Sequence, residues 1–304
     1  MKKIISLFII LTVILSAFVA CRKTPDKKDY TLSIGAVVTA DAAKLKLSET
    51  VAAIVTDDDD RIVLCRLDSF DYSVKYNDDG TLDTTALTSK AAAGAAYATM
   101  PAGTWTEQGK ALEEIVKGKT RSEVSAIVLD GGTLADADLK TTCSINVKDL
   151  MKAIDKAFES EHKTSFKSDS TLSAGLYVTG SPKDTSKDGA KSVKLSATYS
   201  ASVLSGGNVV AAIIDSADAE FKFKSITDYG TASVDFKGTK RELGASYAEM
   251  PAGTWHAQAD AYAKQAVGKS ADDIATLATE GIAGCTINTV DFKEGIEASV
   301  KSAR

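Results

Sequence analysis

Histidine is almost missing from this chain of 304 residues: only His162 and His256 carry an imidazole. One falls in a polar stretch and the other beside Trp255, so neither a histidine triad nor a histidine-rich metal site can be built within a domain. Cysteine is scarce too. Once Cys21, at the end of an N-terminal apolar run, is set aside, Cys65, Cys143 and Cys285 remain. That odd number gives little support for a disulfide framework. A Cys65 to Cys143 bridge stays open, and buried reduced thiols are the simpler expectation. No stripe of lysine and arginine exists and the formal net charge is −5, which argues against nucleic acid as a partner because phosphate backbones need clustered cations. Without histidine clusters, acid-only hydrolysis is the enzyme class left open, and no complete catalytic constellation is visible.

The long apolar run, Ile4 to Val19, follows Lys2 and Lys3 and ends in Phe18-Val-Ala-Cys21. It is short for a membrane span of about 20 residues and has the layout of an export signal with small residues before a cysteine. It resembles a bacterial lipoprotein signal, with Phe18 where leucine is commoner. The resemblance implies removal of residues 1–20 and lipidation of Cys21, anchoring the chain to the outer face of the cytoplasmic membrane. Removing Lys2 and Lys3 takes the formal charge from −5 to −7. Residues 21–29, charged and without apolar periodicity, read as a tether.

The rest is a duplication. Tyr97-Ala-Thr-Met-Pro-Ala-Gly-Thr-Trp105 returns as Tyr247-Ala-Glu-Met-Pro-Ala-Gly-Thr-Trp255, matching at eight of nine positions and holding both tryptophans of the chain. Gly118-Lys-Thr120 answers Gly268-Lys-Ser270, Cys143-Ser-Ile-Asn146 answers Cys285-Thr-Ile-Asn288, and Thr31-Leu-Ser33 answers Thr171-Leu-Ser173. Two units of domain size follow, residues 30–158 and 171–304, with the lysine-rich segment 159–170 as linker.

Each unit opens with strand-like runs. These are Tyr30 to Thr39, Ser48 to Thr56, Arg61 to Ser69 and Asp71 to Tyr76 in the first, and Tyr177 to Thr179, Lys194 to Leu204, Val209 to Ser216 and Glu220 to Lys224 in the second. Gly180 to Lys191 reads as a long loop. Asp57 to Asp60 and Ser205-Gly-Gly-Asn208 are hairpin turns; four consecutive aspartates do not make a calcium loop. About three helices follow in each unit, with capping pairs at Thr104/Glu107, Thr120/Glu123 and Ser270/Asp273. Asn146 and Asn288, or Asp149 and Asp291, are candidate caps of the last helix. The expected fold class is α+β: two similar tandem domains, each an antiparallel β-meander followed by about three helices.

The segment ahead of each last helix is the candidate ligand site, because free N–H groups and the helix dipole favour an anion there. Gly284 and Thr286 occupy it in the second repeat, Ser144 in the first. Lys119 and Lys269 are close enough in sequence to reach a phosphate, though as last-turn lysines they equally complement a helix C-terminus. The layout resembles the FMN-binding domain of bacterial membrane-associated flavoproteins, which carry FMN esterified to a threonine in Asp-x-x-Ser-Gly-Ala-Thr. Glu280, Ala283, Gly284, Cys285 and Thr286 stand at those positions here; the first repeat has Asp138, Thr142 and Ser144. The Met-Pro-Ala-Gly-Thr-Trp and Gly-Lys-Thr/Ser elements are also similar to FMN-binding-like lipoproteins of anaerobic Gram-positive bacteria. The resemblance implies FMN as cofactor, with Trp105 and Trp255 available to wall its ring. The leading expectation is a non-catalytic, membrane-anchored binding module for a flavin or another phosphate-bearing ligand. The alternatives are an FMN-carrying electron-transfer protein and a structural or adhesive surface protein.

Overall fold

The computed structural model describes residues 26–85, 87–187 and 191–304. The expected export segment and Cys21 lie outside the described residues. Strands β1 (Lys28–Asp41), β2 (Lys46–Asp57) and β3 (Ile62–Ser73) form an antiparallel meander. The runs expected as separate strands on either side of Phe70 join in β3, since the alternation continues across it. The four-aspartate turn folds on itself: Asp57 Oδ1 accepts from the N–H groups of Asp59 at 3.1 Å and Arg61 at 2.9 Å.

The segment expected as linker contains a strand, β4 (Lys163–Ser168), paired antiparallel with the first half of β1. Its lysines mask the pattern: Phe166 and Ser168 point inward while Lys163, Ser165 and Lys167 face solvent. The second repeat supplies β5 (Leu172–Asp184), β6 (Lys191–Ser205) and β7 (Asn208–Phe223), with β8 (Ser233–Asp235) on the edge. Much of the expected Gly180–Lys191 loop is therefore strand, because β5 runs on through Pro182 to Asp184.

The sheet orders are β3-β2-β1-β4 and β8-β7-β6-β5, and the two sheets pack face to face. Strand alternation sorts the side chains: Leu47, Val51, Ala53 and Val55 of β2 meet Leu195, Tyr199, Ile213 and Phe221 in one core between the sheets. Ala52 and Ile54 face outward, under helices α1 (Trp105–Val116) and α4 (Lys148–Glu159). The outer face of the second sheet is covered by α5 (Trp255–Ala263) and α7 (Val290–Lys301). The α+β fold is thus a four-layer α/β/β/α sandwich whose repeats share their central core.

Local chemistry places the helices. Thr104 and Glu107 form the expected capping box, with Glu107 N–H donating to Thr104 Oγ1 at 3.2 Å and Thr104 N–H to Glu107 Oε2 at 2.7 Å. Gly118 and Gly268 adopt φ of 76° and 84° and turn the chain back to the sheet. Gly118 N–H donates to the Ile62 carbonyl at 2.7 Å and Gly268 N–H to that of Val209 at 2.8 Å. Short helices α2 (Arg121–Ser125) and α3 (Ala137–Thr142) follow in the first repeat. The second has α6 (Ala271–Ile274) but no counterpart of α3, its chain being shorter between Lys269 and Cys285 than the first between Lys119 and Cys143. The last helix of each repeat crosses the first strand at a glycine. A Cβ on Gly35 would overlap the Ala153 carbonyl, and one on Gly175 that of Ser299.

Candidate functional site

Trp105 and Trp255 open α1 and α5 on opposite outer faces, 7% and 6% exposed. Trp255 stacks edge-on against Phe292 with ring centres 5.3 Å apart. Neither lines the 390 Å³ pocket around Glu280, Ile282, Cys285, Thr286, Asn288 and Val290. Gly284 and Thr286 are solvent-exposed, as is Ser144, so the structure does not bring the tryptophans to the hydroxyls. A ring wall for a flavin is not assembled at Thr286.

The hydroxyls already have a partner that the sequence reading overlooked. Gln258 is wholly buried, and its Oε1 accepts from Thr286 N–H at 2.7 Å and Thr286 Oγ1 at 3.1 Å. Gln108 repeats the pattern with Ser144 N–H at 2.8 Å, Ser144 Oγ at 3.1 Å and Ile145 N–H at 3.2 Å. Each side-chain amide also donates to a glycine carbonyl, Gly103 at 2.9 Å and Gly253 at 3.2 Å. The donors expected to meet an anion thus hold an internal carbonyl oxygen. At the helix starts, Asn146 and Asn288 accept from Lys148 N–H at 3.0 Å and Val290 N–H at 2.9 Å. The signal was available, since the glutamine follows each tryptophan at the same spacing.

The three described cysteines are free thiols, Cys65 and Cys143 buried. Burial pushes the Cys143 thiol up to about 11, which keeps it protonated and unreactive at neutral pH.

Extending the repeat alignment through the structure exposes a second shared constellation. Lys46, Ser48, Asp71, Lys90 and Tyr97 correspond to Lys194, Ser196, Asp218, Lys240 and Tyr247. In the first repeat Asp71 is held by Lys90 at 2.7 Å, Lys46 at 3.0 Å and Ser48 Oγ at 2.6 Å. In the second the grip is looser: Lys240 stands 3.3 Å and Lys194 3.5 Å from Asp218, and only Tyr247 OH, at 2.8 Å, bonds it closely. Lys240 Nζ lies 5.0 Å from the ring centres of both Tyr247 and Trp255, a cation-π arrangement. Burial lowers the Lys240 ammonium from its ordinary range, with Asp218 partly restoring it. Both clusters bolt a turn of helix, Lys90–Ala93 or Lys240–Leu243, to the sheet.

Polar groups from both repeats meet around Arg66, Glu113 and Arg304, and again in a cleft between the sheet edges. Among the described residues the outer edge of β1 beyond Ser33 has no strand partner, nor has the outer edge of β7 around Ile213 to Asp215. A cleft of about 320 Å³ lies between these edges, lined by Ile34, Lys156, His162, Tyr199, Asp215 and Arg241 among others. Asp215 is buried at its floor, accepting from Tyr199 OH at 2.8 Å, Ser216 N–H at 2.7 Å and Arg241 N–H at 3.1 Å. Burial raises its carboxyl above the usual range, with Arg241 opposing. The Arg241 guanidinium donates to the Ile214 carbonyl at 2.7 Å and pairs with Asp260 at 2.6 Å. At the rim the two histidines meet, ring centres 4.8 Å apart, although they belong to different repeats. Treating the repeats one at a time hides this pairing.

Among the described residues no helix is long and apolar enough to cross a membrane. No protein-family model, curated protein or solved structure matches the chain.

Proposed function

We propose that this chain is an exported, lipid-anchored, non-catalytic binding module whose ligand seat is the cleft between the repeats. One observation carries the reading. In the cleft, polar side chains of both repeats, Lys156 and His162 from one and Tyr199, Asp215 and Arg241 from the other, converge beside apolar Ile34 and Ile213. A concave site of roughly 300–1,000 Å³ with a few convergent polar groups is the common form of a small-molecule site. Its volume of about 320 Å³ suits a small ligand rather than a macromolecule. The anchor rests on the Lys2 to Cys21 segment, and radioactive fatty acid should label the wild type but not Cys21→Ala.

The flavin-carrying alternative retains one supporting observation, that Thr286 is an exposed residue lining the 390 Å³ pocket, with its hydroxyl bonded to Gln258. A single preparation separates the readings. Native protein should be colourless, and a panel of small polar metabolites should raise its melting temperature through a site that Tyr199→Phe and Lys156→Ala weaken. Yellow protein whose colour survives denaturation and disappears in Thr286→Ala would establish the flavin reading instead. No ligand-induced shift and no colour would leave a structural surface protein.

A further inference from the structure

His162 follows α4 of the first repeat and His256 sits in the first turn of α5 in the second. Their rings are 4.8 Å apart with planes inclined at 48°. Each ring has one nitrogen engaged: His162 Nε2 stands 3.2 Å from the Arg241 carbonyl oxygen, and His256 Nε2 stands 3.1 Å from Thr254 Oγ1. The carbonyl can only accept, so His162 presents its Nε2–H there. His256 Nδ1 is buried without a hydrogen-bond partner. A second proton on this ring would place a charge beside a second imidazole and the Arg241 guanidinium.

We propose that the His162–His256 contact is a proton-operated latch between the repeats, closed while His256 is neutral and loosened when it takes up a proton. The latch closes the cleft rim by packing the segment after α4 against the Thr239–Glu242 turn. Groups from every neighbouring element bear on it. Arg241 opposes protonation of His256, as does His162, while Asp260 on α5 and Asp215 on β7 favour it. Lys156 and Glu242 pair across the same rim at 2.6 Å, and Glu159 and Glu161 flank His162. Burial is the largest influence and, with His162 and Arg241, holds the His256 imidazole below its ordinary range. The linkage has one direction. A histidine whose folded value is depressed contributes stability that is fully present above the unfolded value of about 6.5 and is lost as pH falls from there through the lower folded value.

The latch goes beyond the binding reading and needs no ligand for its test. With two histidines in the chain, proton NMR of the imidazole C–H signals follows both between pH 8 and pH 5. Expected are a His256 midpoint below about 6.5, its upward move in His162→Asn, and amide shifts of Ser160–Lys163 and Thr239–Glu242 sharing that midpoint. In His162→Asn/His256→Asn the rim amides should hold still over the range. A His256 midpoint at the ordinary value, or one indifferent to His162→Asn, would overturn the latch. So would rim amides that move equally in the double variant. Should the variants fold poorly, the wild-type titration alone decides: a His256 imidazole at its ordinary midpoint, or a static rim, rules the latch out.

Discussion

A carboxyl group sealed between two sheets with no donor in reach has to be neutral, and Glu49 meets that condition. It is 1% exposed, neither side-chain oxygen has a partner, and burial, then the nearby Asp215, raises it well above the usual carboxyl range. The unfolded chain ionises Glu49 above about pH 4.5 while the folded one keeps it protonated, so this residue lowers stability progressively as pH rises. Glu49→Met should stabilise the fold by about 1–3 kcal/mol, the cost of an unpaired buried polar group. The advantage should widen from pH 5 to pH 8 in urea unfolding; an advantage that shrinks with pH would contradict it. Gln258 is the opposite case, a buried polar group fully used. Gln258→Leu leaves Thr286 N–H and the Gly253 carbonyl without partners, and about 1–3 kcal/mol is expected for each group that water does not reach. Loss measured by urea unfolding should be smaller in Thr286→Ala, which keeps the backbone bond.

At the scale of elements, the last helix of each repeat lies against its first strand by virtue of a missing side chain. Gly175→Ala puts a methyl group into the α7 backbone at Ser299, and overpacking of that kind costs about 1–3 kcal/mol. Gly206→Ala, whose methyl would meet only Ser170 Oγ at 3.9 Å but at φ of 57°, serves as the comparison in thermal melts and should cost less. Capping boxes, the two hairpin turns and the helix-ending glycines were legible in the sequence because each is set by residues a few positions apart. Strand β4 was not, since its inward residues alternate with lysines that look like a linker. Nor were the roles of Gln108 and Gln258, because what they hold lies far along the chain. The duplicated Met-Pro-Ala-Gly-Thr-Trp segment, conspicuous in sequence, proves to be a small hairpin and helix start pinned by those glutamines. Its retention in both repeats therefore has a structural cause, which weakens it as a pointer to a ligand.

For the whole molecule, the decisive fact is the core between the sheets. Phe70 and Tyr72 from one repeat and Tyr199 and Phe221 from the other are buried in it together, so neither meander can hide its inner face alone. Urea unfolding followed by Trp fluorescence and by circular dichroism should give one coincident transition. Residues 171–304 expressed alone should be aggregated or molten; a cooperative melt of that fragment would show the repeats to be independent. The α+β class follows from periodicity within each repeat. The face-to-face assembly does not, because nothing in a single repeat says what its second apolar face will meet. The same blindness separated His162 from His256 on paper.

An architecture whose two halves fit each other through a repeated surface carries a particular hazard. The half of one molecule can close on the complementary half of another just as well, and the short β4 crossing is what makes the partner within the same chain the nearer one. Stiffening the turn between β4 and β5 around Asp169 and Ser170 would then favour exchanged dimers, a route by which one copy of the chain is knitted to its neighbour.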